Sequence, residues 1–300
     1  MGEEHAGVTL VLILTLIGLT LAALQGVRLA DRRRAERLRA RLLARSSERP
    51  RRFDPAMVRD LPEPARRYFL HAIAPGARLA TVVEIELAGQ IGLGDRSGPR
   101  YLPMRARQIL APPEGFVWQP EARSGPIHLS GFDGYAGGVA WTRFWLCRLI
   151  PVARASGRRD LARSAAGRGI AEAVFWAPAA LLPRPGVAWT APDAGAARVT
   201  VEHRGCRHVV DVTLDPDGRP LTVLLQRWSR ENPERAWRLQ PFGGTVDAVA
   251  RFDGYTLASR ITGGNHFGTP DYFPFYLVEV TRLRLLPATE HGPVEPRPDP

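Results

Sequence analysis

Four groups of residues have the types and spacing to do chemistry. His203, Cys206 and His208 form an H-x-x-C-x-H motif. If Arg204 and Gly205 make a two-residue hairpin turn, His203 pairs with Cys206 and Val201 with His208. The three donors then share a face with Val199, Val210 and Val212, which could hold zinc. A closed zinc site takes four ligands and the motif offers three, so packing at a hairpin end is the favoured reading and no metal is assigned. Glu172 is the second candidate. It sits between Ala171 and Ala173, one turn before Trp176. A carboxylate on the apolar side of a helix has its pKa raised and can act as an acid or base. It can also be tied into a salt bridge, with Arg66 or Arg67 as the expected partner, and the rule that buried charges are paired favours the bridge.

The third group is the polar loop Asn265 to Tyr272, in which His266 could serve as a base and Asp271 as its orienter. No serine or cysteine nucleophile in a recognisable context accompanies them, and Asn and Asp turn bonds account for the loop equally well. The fourth group is aromatic. Trp118, Trp176 and Trp189, with Trp141 and Trp145, are either core or the lining of a wide apolar cavity; Asn265 is a polar candidate for the same ligand site. No catalytic residue is assigned, no cofactor is called for, and the question of enzyme or non-enzyme stays open.

These groups must be positioned by the elements around them. Asp54 and Pro55 start a short helix, and Leu61 to Pro64 restart it. Ala65, Phe69 and Ile73 then form an apolar stripe. Val83, Ile85, Leu87 and Ile91 alternate with polar residues as a half-buried strand. The Gly92 to Pro99 segment lacks the spacing of a phosphate loop and is a hairpin turn. Further short strands follow, and Asp160 to Trp176 is the one convincing helix within the domain, stopped by Pro178. Strands preceded and interrupted by helices, without strict alternation, predict an α+β domain built on one mostly antiparallel, curved sheet.

The N-terminus adds a different element. Ala6 to Val27 carries no charged residue, and about 20 such residues match a bilayer core of about 30 Å. An acidic start and the absence of a small-x-small site argue for a retained transmembrane helix rather than a cleaved signal. The net charge of +11 is concentrated beside it. Residues 26–52 hold 11 arginines against Asp31, Glu36 and Glu48. That arm faces anionic headgroups or water, with Ala35, Leu38 and Leu42 on one helical stripe. Charge so placed argues against a nucleic-acid partner, which needs its basic face on the folded domain. The organisation read from the sequence is an anchor (1–27), a basic juxtamembrane arm (28–52), the α+β domain (53–286) and a disordered proline-rich tail (287–300). The positive-inside rule puts the domain in the cytoplasm. Cys147 and Cys206 read as packed thiols, although one disulfide between them stays open.

Several segments resemble an uncharacterised bacterial family, a domain of unknown function. They are Leu61-Pro62 with Pro64, Arg66, Arg67 and Tyr68; Gly115 to Trp118; Ile170 to Pro183 with Glu172, Trp176 and Pro178; Trp189; Phe252 to Tyr255; and the Asn265 to Thr269 region. The resemblance covers about Leu61 to Leu285 and implies an N-terminal membrane segment but no chemistry. The strand pattern also looks like that of curved-sheet carriers of lipids and lipoproteins, an analogy at the level of fold. The function expected is a membrane-tethered module that binds an apolar or lipid-like ligand in a cavity of the sheet. An enzyme acting on a membrane-associated substrate and a protein-interaction scaffold are the alternatives.

Overall fold

The computed structural model describes residues 2–46, 51–94 and 96–287. The expected tail from 288 onward lies outside them. Three α-helices are present among these residues: α1 (Gly2–Leu43), α2 (Glu63–Ala72) and α3 (Asp160–Trp176). Thirteen strands form one sheet. The first six are β1 (Ala80–Leu93), β2 (Arg100–Ala111), β3 (Gly115–Ser124), β4 (Ile127–Ala136), β5 (Val139–Leu146) and β6 (Ile150–Gly157). The others are β7 (Val187–Asp193), β8 (Ala196–His203), β9 (Cys206–Leu214), β10 (Pro220–Ser229), β11 (Arg238–Phe252), β12 (Tyr255–Asn265) and β13 (Phe273–Pro287).

Neighbouring strands are antiparallel throughout. The order is β6-β5-β4-β3-β2-β1-β13-β12-β11-β10-β9-β8-β7. Two meanders are therefore stitched together by β1 against β13, and α3 carries the chain from one edge of the sheet to the other. Short turns dictate this meander. Arg204 (φ 52°) and Gly205 (φ 71°) are both left-handed, as a two-residue hairpin requires, and the predicted His203–Cys206 and Val201–His208 pairs form.

The sheet is curled around α3. A Cβ on Gly167 would lie 3.0 Å from His208 on β9, and one on Gly169 would lie 3.3 Å from Phe116 on β3. Seven strand spacings separate β3 from β9, which would be about 33 Å in a flat sheet, against a helix about 10 Å across. Only a strongly curved sheet touches both sides of one helical turn. The two glycines weaken the helix but let the strands approach its axis. The inner face packs on α3 and α2, with Tyr68, Phe69, Trp176 and Trp189 in the main core. The end of the curl near α2 is closed; there Tyr68 Oη donates to Val174 O at 2.9 Å. The opposite end, where β1 passes to β2 and β10 to β11, is open in the sense that, among the described residues, turns and no helix join its strands.

α1 runs unbroken for 42 residues. Its first part, with Val8, Leu12, Leu16 and Leu19 exposed, makes it the helix among the described residues long and apolar enough to cross a membrane. Its second part is not a free arm. Ala35, Leu38 and Leu42 are buried against Val82, Ile109, Val117 and Phe132 on the outer face of the sheet. The apolar stripe was legible; its covering by the sheet, rather than by water or headgroups, follows from a face of β1 to β4 that is itself apolar. Asp31 locks the arm. It accepts from Arg154 Nη1 at 2.5 Å and Nη2 at 3.0 Å and from Trp145 Nε1 at 3.0 Å, with Arg143 Nε 3.5 Å away.

Candidate functional site

The inside of the curl holds a polar network under aromatic rings. Glu172 is 8% exposed. Its Oε1 accepts from Arg168 Nε at 2.6 Å and its Oε2 accepts from Gln108 Nε2 on β2. The expected partners Arg66 and Arg67 are elsewhere; Arg67 pairs with Glu63 at 2.7 Å and donates to the Asp215, Pro216 and Ala194 carbonyls. The reason is local. Arg168 stands four residues before Glu172 on the same helix face, whereas Arg67 is held by Glu63 and by the carbonyls at 194, 215 and 216. Arg168 also reaches Asp133 on β4 at 3.3 Å and lies over the rings of Phe116 and Trp118, 4.9 and 5.0 Å from their centroids. Burial alone would lower its pKa, but the Glu172 and Asp133 carboxylates outweigh burial and raise it. Each oxygen of Glu172 thus accepts one hydrogen bond from within the protein, as the rule that buried charges are paired requires.

Arg227 on β10 faces the same space. Its Nε donates to Ser164 Oγ at 3.0 Å and its guanidinium lies 4.7 Å over the Phe242 ring. Among the described residues no carboxylate comes within ion-pair distance of it. Burial first, and the Arg168 cation second, push its pKa down to about 10. Trp118 and Tyr276 complete the lining, 5.9 Å between ring centroids, with Phe144 6.3 Å from Trp118. Trp118 Nε1 and Tyr276 Oη are buried and have each other for polar company, without the geometry of a good hydrogen bond. Gln108 Oε1 is also unpaired. Burial, with the Glu172 charge behind it, raises the Tyr276 hydroxyl and keeps it a donor. The chemistry these side chains offer is aromatic surface together with the Arg227, Trp118 and Tyr276 donors.

The sequence candidates divide around this site. Trp118 lies in it, and Asn265 is on its rim, opposite Phe242 in the sheet and so on the same face. Trp176 and Trp189 belong to the closed end, their indole N–H groups spent on Ala258 O at 3.0 Å and Leu181 O at 2.8 Å. His266 and Asp271 turn to different partners, His266 to the Glu231 carbonyl at 3.0 Å and Asp271 to Arg96 at 3.8 Å. His203, Cys206 and His208 share a strand face, but His208 is buried against α3, and among the described residues no three His, Cys, Asp or Glu side chains converge on a common point. Cys147 and Cys206 are both free thiols. Arg168, Gln108, Asp133, Arg227 and Tyr276 were missed by sequence reasoning. Only the Arg168–Glu172 spacing carried a signal; the others are assembled by strand pairing.

A family model for a family of unknown function, DUF6544, matches residues 51–277. No curated protein matches the sequence. Two solved structures are similar at a distance. A LolA superfamily protein from Nitrosomonas europaea has a TM-score of 0.41 at 9% identity, over 76% of this chain and 94% of that one. A DUF1329 family protein from Desulfovibrio piger has a TM-score of 0.36 at 10% identity, over 69% of this chain and 86% of that one.

Proposed function

We propose, for a chain that belongs to the DUF6544 family of unknown function, that it is a membrane-tethered module holding a single-chain amphiphile in the open end of its curled sheet. The observation that carries this reading is the pairing of an aromatic wall with an under-neutralised cation. Trp118, Phe144, Tyr276 and Phe242 offer apolar surface, and Arg227 lies over Phe242 with a serine hydroxyl but, among the described residues, no carboxylate. Desolvated cations without counter-ions are costly, and an anionic head supplied by a ligand removes that cost. The apolar stretch of α1 serves as the anchor, followed by the arm and the domain. Its arginine-rich C-terminal flank supports a cytoplasmic domain under the positive-inside rule. A reporter fused after Pro300 checks the side: alkaline phosphatase activity there would reverse the assignment.

The test of the function is native mass spectrometry of the full chain after gentle detergent extraction. The expected spectrum contains a population heavier by one small molecule, lost on collisional activation. Bare protein in every preparation, with no uptake of added oleate, would sink the reading. The enzyme alternative would rest on Glu172, whose two hydrogen bonds to Arg168 and Gln108 support the structural role instead.

A further inference from the structure

We infer that the open rim of the curled sheet rests on an anionic bilayer surface, so that the mouth of the site opens directly onto lipid. The inference relies on the reading of α1 as a membrane anchor and deepens it, by fixing how the domain sits on the membrane and where its ligand enters.

The first observation is the direction of the arm. Gln25, in the last turn of the uncharged stretch, donates from Nε2 to Arg148 O at 2.9 Å, in the β5–β6 turn at the open end. Twenty residues on, Arg45 pairs with Glu114 at 3.2 Å, in the β2–β3 turn at the closed end. The helix therefore leaves the domain at the rim. A span ending near Val27 puts the β5–β6 turn at the depth of the headgroups.

The second observation is where the exposed apolar side chains lie. Among the described residues outside α1, the large ones are Leu70, Leu93, Ile127, Leu149, Ile150, Val152, Leu221 and Leu239. Scattered singly, such residues mean little. Six of these eight lie at one end: Leu93 at the end of β1, Ile127 at the start of β4, Leu149 in the β5–β6 turn, Ile150 and Val152 at the start of β6, and Leu239 at the start of β11. Ile150 is 56% exposed and Leu239 52%. They come from four separate stretches of chain and share only the rim. An apolar rim collected on one end of a domain marks an interaction surface.

Charge selects the occupant. A cleft of 580 Å³ lies between the arm and the outer face of the sheet, lined by Arg28, Arg32, Arg105, Arg107, Arg143 and Arg148. Asp31, Glu36, Glu86 and Glu121 line it too, but Asp31 is taken by Arg143 and Arg154. Among the described residues, Arg28, Arg32, Arg105, Arg107 and Arg148 have no carboxylate within ion-pair distance. Apolar side chains flanked by unneutralised arginines, next to a membrane helix, fit an anionic lipid surface, where the apolar groups enter the acyl boundary and the arginines meet phosphates. A second copy of this chain would bring the same arginines face to face and is disfavoured.

The test uses the full chain in nanodiscs of phosphatidylcholine with phosphatidylglycerol. Native Cys147, exposed in the rim turn, carries a nitroxide in a Cys206→Ser background. Leu239→Cys and Leu70→Cys, each with Cys147→Ser and Cys206→Ser, report on the far rim and the closed end. The expected result is preferential collision with oxygen over a water-soluble nickel complex at Cys147 and Leu239→Cys, and the reverse at Leu70→Cys. A Leu239→Cys label that behaves like Leu70→Cys, in protein that co-elutes with the discs, overturns the inference and leaves the anchor standing. A chain that does not enter the discs overturns the anchor and the rim together, while ligand uptake in detergent is scored separately. Protection of the label in detergent that grows with protein concentration would assign the rim to a second copy, also against the inference.

Discussion

Arg168 and Glu172 stand one helical turn apart on α3 and are joined Nε to Oε1 at 2.6 Å, both within the curl of the sheet. Their side chains are 12% and 10% exposed, so solvent screens the pair little. Glu172 also fastens β2 through Gln108, and Arg168 fastens β4 through Asp133. One pair thus ties the helix to two strands of the first meander.

Glu172→Gln should destabilise the protein. Arg168 would keep only Asp133 as a counter-ion, and an uncompensated buried charge costs about 3–5 kcal/mol, with the lower end expected here because Asp133 remains. On the scaling for domains of about this size the melting temperature should fall by about 6–12 °C. A calorimetric scan in high and low salt checks it; an unchanged or raised melting temperature would move Glu172 from the structural network to the ligand.

His208 should give stability a pH dependence. It is buried against α3, and burial, with Arg163 and His203 adding to it, pushes its pKa down from 6.5 to about 4. The unfolded chain therefore binds the proton before the folded one does. The contribution is complete above about pH 6.5, declines as pH falls, and is exhausted below about pH 4, amounting to about 2 kcal/mol between pH 7 and pH 5. Denaturant midpoints at the two pH values should diverge less in His208→Gln than in the native sequence. Equal divergence would show that other groups carry the effect.

The local features of this fold were legible in the sequence and its long-range ones were not. Asp160 to Trp176 has an acid in its first turn and a proline just beyond its end, and it forms as expected. The Arg204–Gly205 turn fixes a register that needs no distant information. By contrast, nothing local says that β1 will pair with β13, or that β3 and β9 will meet across Gly167 and Gly169. The site suffers the same limit. Trp118 and Asn265 could be named as candidates by type, but Arg227, Gln108 and Tyr276 reach them only through strand pairing. The arm shows the boundary well: Ala35, Leu38 and Leu42 form a readable stripe, but what the stripe faces depends on Ile109 and Phe132.

Asp31 should decide whether the arm stays docked. It is 7% exposed and neutralises Arg143 and Arg154 at once. Asp31→Asn leaves the half-buried Arg143 and the more exposed Arg154 without their shared counter-ion, and the arm loses an attachment to the sheet. Hydrogen exchange along residues 28–42 should accelerate by at least about tenfold, while the amides of β11 and β12 keep their native rates. Unchanged protection of the arm would mean that Ala35, Leu38 and Leu42 hold it without the ion pairs.

Arg227 separates binding from stability. In the native protein its cation is desolvated, near Arg168, and without a carboxylate partner. Arg227→Met keeps the stem packed on Phe242 and removes the charge, so the melting temperature should stay level or rise, as when a functional residue held at a cost to stability is replaced. Binding should respond to the head of the ligand. For a fatty acid, whose carboxylate meets the guanidinium, loss of a buried charge-assisted contact costs about 2–5 kcal/mol, or about 30-fold and more in Kd. For the fatty alcohol of the same chain length the change should be small. Fluorescence titration of the two ligands against both proteins measures the difference. Equal losses for acid and alcohol would assign Arg227 to packing alone, and a fall in melting temperature without change in either affinity would remove it from the site.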